Sequence, residues 1–212
     1  MTSFPLSHII PDMAMPEIPV PEKVTISLRD PDRSLLTNRP SRVLIDLLYI
    51  AGPIPASGIR SAETQVHSLV YLAQEFGAID TNYVFFIARD TGDLVSDDLS
   101  WNLNMTALKE MKSLPQSNKE PFFKLTPKAI ELLEAVGGPQ TIDDEDKIGE
   151  LAELARNKML IFLASFIFTK NEVNKKLEDG RLTSTEANAV LSKFGYVLRE
   201  KLEELEQKFR SS

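Results

Sequence analysis

No cysteine occurs in the 212 residues, which excludes disulfides and thiolate metal sites and leaves nothing pointing to secretion. Histidine occurs only at positions 8 and 67, and the single tryptophan is Trp101. No phosphate-cradling Gly-rich loop, Gly-x-Ser-x-Gly elbow or His-Glu-x-x-His helix is present, so the chain is not expected to be an enzyme. Long apolar runs are missing too. The longest, Met159 to Phe168, is ten residues, about half of the roughly 20 needed to cross a bilayer core. It reads as a buried helix segment, and no membrane association is expected. Met1-Thr2-Ser3-Phe4-Pro5 lacks the basic and apolar regions of a signal peptide. The expected setting is cytoplasmic. Nor is there an excess of positive charge: the formal net charge is −7, divided −2, −3 and −2 over residues 1–38, 39–140 and 141–212.

What is present is a fixed order of amphipathic elements. Residues 1–22 hold five of the thirteen prolines and read as an extended arm. Within the arm Glu22 to Arg29 alternates polar and apolar like a half-buried strand, which must add to a sheet edge in this chain or a partner. Ser41 stands before the apolar stripe Arg42 to Ile50 as an N-cap, and Gly52-Pro53 ends that helix. A second helix starts at Ser61 or Ala62 and stops at Phe76-Gly77. Tyr83 to Ala88 is β-branched and aromatic, which predicts a strand, and Asp90-Thr91-Gly92-Asp93 a turn. Ser96 caps a third helix over 96–113, with Asp97 and Asp98 in its first turn. A loop at 115–118, a strand at 122–125 and a helix from Pro127 to Val136 follow, and Gly137-Gly138-Pro139 marks a domain boundary.

The last third predicts two long helices, about 144–177 and 184–209, joined at Gly180 and opened by the Thr183–Glu186 capping box. Leu151, Phe162 and Val173 recur every 11 residues, as do Ala155, Phe166 and Leu177, and the second helix repeats the spacing through Ala187, Leu198 and Phe209. An 11-residue period stays close to the straight helix, so a left-handed supercoil is not expected. The matching stripes predict an antiparallel hairpin. The all-round apolar run at 159–164 exceeds what one hairpin buries, and it points to homodimers pairing through Leu151, Phe162, Phe166, Leu191 and Leu198.

Five lysines fall between 109 and 128 against two acids. Lys109, Lys112, Lys119 and Lys124 are the candidate contacts to DNA phosphates. His67 reads as a partly exposed helical histidine without a catalytic task. Trp101, Phe122 and Phe123 read by default as core. The acids at 97–98 and 143–146 sit at helix starts, where the dipole accounts for them, so no metal and no cofactor is expected.

Gln65, Tyr71-Leu72, Phe85-Phe86, Ser96 with Leu99, and Leu125-Thr126 together resemble the YwgA-like winged-helix proteins, over about residues 62–136. The chain departs from that pattern where Asp90-Thr91-Gly92-Asp93 replaces a Gly-Pro turn and where Ala129 stands in place of a common glycine. The helical appendage resembles the dimerisation helices of PadR-type regulators. The resemblance implies a mainly α (α+β) chain: an arm at 1–38, a winged-helix domain at 39–138 and a helical hairpin at 139–212. It implies a dimeric DNA-binding transcriptional regulator, or alternatively an adaptor that keeps the winged-helix shape and docks proteins without nucleic acid.

Overall fold

Several helix caps and glycine stops lie where the sequence places them, and non-local pairings decide how the pieces fit. The computed structural model of the chain describes residues 39–56, 61–105, 122–125 and 127–210. Among these residues the protein is mainly helical, with eight α-helices and two small antiparallel strand pairs. The expected arm at 1–38, with its strand, lies outside the described residues.

Helix α1 (Arg39–Ala51) begins two residues before the expected cap, so Ser41 is buried inside its first turn. Pro40 is compatible with this start, because a first-turn residue has no intrahelical acceptor to lose. Gly52, at φ +69°, ends the helix and donates to the Leu48 carbonyl at 3.0 Å. The chain continues into β1 (Ile54–Pro55), then α2 (Ala62–Glu75), where Ser61 Oγ accepts from the Thr64 N–H at 3.1 Å. Strands β2 (Phe86–Ile87) and β3 (Leu94–Val95) form a hairpin in which Phe86 faces Val95 across the ladder. The expected strand from Tyr83 is thus shortened. The Gln74 side chain takes both backbone groups of Tyr83, donating to its carbonyl at 3.2 Å and accepting from its N–H at 3.1 Å. Helix α3 (Asp97–Met105) follows directly, with Ser96 Oγ capping the Leu99 N–H at 3.4 Å. Strand β4 (Phe122–Phe123) returns to pair with β1, Ile54 opposite Phe123, and leads to α4 (Pro127–Ala135).

The two long helices expected near the C-terminus are four. Helix α5 (Glu145–Arg156) is capped by Asp144 and closes at Asn157, where Lys158 turns the chain at φ +60° and Met159 donates to the Leu154 carbonyl at 3.0 Å. Helix α6 (Leu160–Glu178) then starts on a new axis and packs against α2. Helix α7 (Ser184–Leu191) carries the expected capping box, with Thr183 and Glu186 each bonding the other's backbone. A turn at Ser192–Gly195 breaks it from α8 (Tyr196–Arg210). That break lets the Phe194 ring reach Phe166, with centroids 5.0 Å apart, while Leu202 and Leu205 of α8 are buried in the core. Phe209 reaches back to Phe76 at the end of α2, again at 5.0 Å.

One apolar core runs from Val43 of α1 to Leu205 of α8, so helices on both sides of residue 138 share it. The crossover between them is fastened to α1 by a carboxylate. Asp46 is fully buried, and its Oδ1 accepts from Arg42 Nε at 2.8 Å. Its Oδ2 accepts from the Gln140 and Thr141 N–H groups at 2.8 and 2.9 Å and from Thr141 Oγ1 at 2.8 Å. Arg42 also donates from Nη2 to the Gly138 carbonyl at 2.6 Å. Beyond this clamp Ile142 bridges to Ile79, and Asp143 donates to the Ala78 carbonyl.

Removing one member of a buried ion pair strands its partner and typically costs about 3–5 kcal/mol. Asp46→Ala should lose stability of that order, read as a lowered denaturant midpoint. An unchanged midpoint would refute the role given to the clamp.

Candidate functional site

Helix α3 is placed by an imidazole. His67 projects from α2 and is 2% exposed, not partly exposed as its sequence position suggested. Its Nδ1 accepts from the Ser96 N–H at 3.0 Å, so Nδ1 carries no proton, and Nε2 lies 3.2 Å from Ser100 Oγ. The neutral ring therefore holds its proton on Nε2 and donates to the serine hydroxyl. A nucleophilic serine needs the opposite arrangement, with an unprotonated nitrogen facing the hydroxyl. This pair ties α3 to α2 and does not activate Ser100. Burial pushes His67 down to about 4, opposed by the nearby Asp97 carboxylate.

The outward side of α3 has a different character. Leu99 and Leu103 are buried. At 100° per residue, Trp101 between them must point away from the core. It is 61% exposed, which corrects the expectation of a core tryptophan. Phe123 is buried as expected. Beside Trp101 a cleft of about 490 Å³ opens between α3, the start of α1 and the 80–83 segment. Its walls include Arg39, Asp80, Tyr83, Asp98, Trp101 and Asn102. Arg39 and Asp80 form an ion pair across one side. Tyr83 is largely buried, and its hydroxyl accepts from Asn102 Nδ2 at 3.1 Å. Burial raises the Tyr83 phenol above its ordinary value, with the Asn102 bond lowering it and the Asp98 charge raising it further.

Of the four candidate lysines, Lys109, Lys112 and Lys119 lie outside the described residues, and Lys124 is half-buried just after β4. The expected 96–113 helix is described only to Met105. Among the five residues named for a dimer interface, Leu151 and Phe166 are buried in this chain's own core. Leu191 and Leu198 pack partly against that core, and Phe162 stands out at 58% exposed. The structure thus does not bring the five onto one outward face. Asp144 of the acidic run accepts from the Lys147 N–H at 3.0 Å, and this bond is the main cause holding its carboxyl below the ordinary value. Among the described residues no three acids or histidines gather as a metal site. No helix among them is long and apolar enough to cross a membrane.

Sequence reasoning missed the Arg39–Asp80–Asp98–Trp101 cleft. The one local signal was Asp98, three residues before a tryptophan that itself lies between two leucines. Compared with family models, curated proteins and solved structures, the chain matches none.

The depressed His67 value fixes the sign of a pH effect. Between about 4 and its ordinary 6.5 the unfolded ring binds more protons than the folded one, so stability is present above 6.5 and lost as pH falls towards 4. At 1.36 kcal/mol per unit the shift amounts to about 3 kcal/mol. Chemical denaturation at pH 7 and pH 4.5 should show part of this loss, and His67→Gln should flatten it. Equal slopes in the two proteins would count against the assignment.

Proposed function

We propose that this chain is a winged-helix module that docks a protein partner through the outward face of α3 and the β2–β3 hairpin. The support for the winged-helix reading is the order α1, β1, α2, α3, β4, with the β2–β3 hairpin inserted between α2 and α3 and β4 returning to pair with β1. One observation carries the choice of partner. The first two turns of α3, which in a DNA-reading helix lie against base edges and phosphates, here expose Asp97, Asp98 and Trp101. Carboxylates there repel the phosphate backbone that supplies most non-specific affinity. The hairpin leading into α3 exposes Val84, Phe86 and Ile87, an apolar surface suited to a polypeptide.

The second reading is the dimeric DNA-binding transcriptional regulator. Its support is the lysine excess between 109 and 128. Fluorescence anisotropy with a random-sequence duplex at low ionic strength separates the two. The docking reading expects no salt-sensitive binding. It also expects a photo-crosslinker at Phe86 to give one discrete protein adduct in native cells. Salt-sensitive binding would put the regulator in its place. Changing Lys109, Lys112, Lys119 and Lys124 to Ala would then reduce the log–log salt slope by roughly one unit per lost phosphate contact.

Either reading is that of a cytoplasmic homodimer, and the exposed Phe162, Tyr196 and Val197 support the pairing. Light scattering should give twice the 23.8 kDa chain mass, and Phe162→Asp should return it to one. A monomeric parent protein would end the dimer proposal.

A further inference from the structure

The cleft beside Trp101 has features that the docking reading leaves unused. Its volume of about 490 Å³ falls in the range of small-ligand sites. Asp98 and Trp101 both line it, and they stand three residues apart on α3, which puts them on one face of the helix. The charges are unevenly matched. Arg39 is taken by Asp80, whereas Asp98 has no ion-pair partner among the described residues. Among the described residues the cleft therefore presents one uncompensated carboxylate beside an exposed indole. The Asn82 and Asn102 amides and the Tyr83 hydroxyl add neutral polar groups around them.

We infer that this cleft is a binding site for an organic cation, a guanidinium or alkylammonium group whose charge lies between the Trp101 ring face and the Asp98 carboxylate. An aromatic face attracts such a cation electrostatically, and Trp does so best. The carboxylate adds charge-assisted hydrogen bonds, and an ammonium or guanidinium supplies both the donors and the opposite charge. An anionic ligand meets the Asp98 charge, and a purely apolar one strips water from that carboxylate without replacing its hydrogen bonds. Pro40 and Val43 supply an apolar wall for the stem that carries the charged head. The inference stands on the cleft itself and not on the docking reading. The basic side chain of a partner protein and a free polyamine present the same group.

Trp101 is the only tryptophan, so its emission reports this site and no other. Titration of the full chain with N-acetyl-arginine methylamide or N-acetyl-lysine methylamide should give a saturable emission change, and N-acetyl-glutamate methylamide should give none. Neutralising a charged hydrogen-bond partner weakens binding by roughly tenfold or more. Asp98→Asn should show that loss with the fold kept and at most a small fall in melting temperature, since the side chain is exposed and only its first-turn charge is removed. Calorimetry on Trp101→Leu, which is blind to emission, should show weakened binding as well. Tighter binding of an arginine-containing peptide than of spermidine would name a polypeptide as the source, and the reverse order a free polyamine; both keep the site. Absence of saturation with all the cations, equal affinity for the glutamate derivative, or full affinity in Asp98→Asn would overturn the proposal. None of these results depends on duplex binding, so the site and the docking reading fail separately.

Discussion

A single carboxylate sets how the two ends of this fold meet. Asp46 lies in an apolar helix stripe and is stripped of water, so its charge is tolerable only with every lone pair engaged. Arg42 occupies one oxygen, and three donors from residues 140–141 occupy the other. The Gly137-Gly138 turn, with both residues at positive φ, delivers those donors to α1. Everything after residue 140 therefore leaves from a fixed point. The Ile79–Ile142 bridge and the packing of α5 on α1 and α2 follow from that placement.

Much of the local architecture was legible in the sequence because its causes are local. Ser61, Ser96, and Thr183 with Glu186 cap helices where they stand, and Gly52, Gly77 and Gly180 end them at positive φ. The breaks inside the C-terminal helices were not legible. The residue that turns left-handed is Lys158, where neither glycine nor proline gives warning, and the 11-residue apolar period runs straight across it. Once the axis changes there, the stripe loses its phase: Leu151 stays inside, whereas Phe162 emerges. Arg42 and Asp46 pair locally at i, i+4, but Asp46's other partners lie 94 and 95 residues away and cannot be inferred from a window.

The candidate site was less legible for the same reason. Burial of His67 is imposed by Ser96 and Ser100, 29 and 33 residues on, and nothing in its own helix foretold it. Trp101 was within reach of helical arithmetic, since it falls opposite a face already claimed by Leu99 and Leu103. Its partners in the cleft come from the start of α1 and from the 80–83 segment. The fold alone brings those segments together.

The imidazole that receives the Ser96 N–H has a mechanical effect besides its chemistry. A helix start is commonly steered by the loop before it, and here that loop is the hairpin with its exposed turn. His67 instead fixes the first turn of α3 to the middle of α2, and α2 is itself wedged against α5 and α6. The two helices are geared together. The direction in which Trp101 leaves α3 is thereby set by α2 as well as by the hairpin.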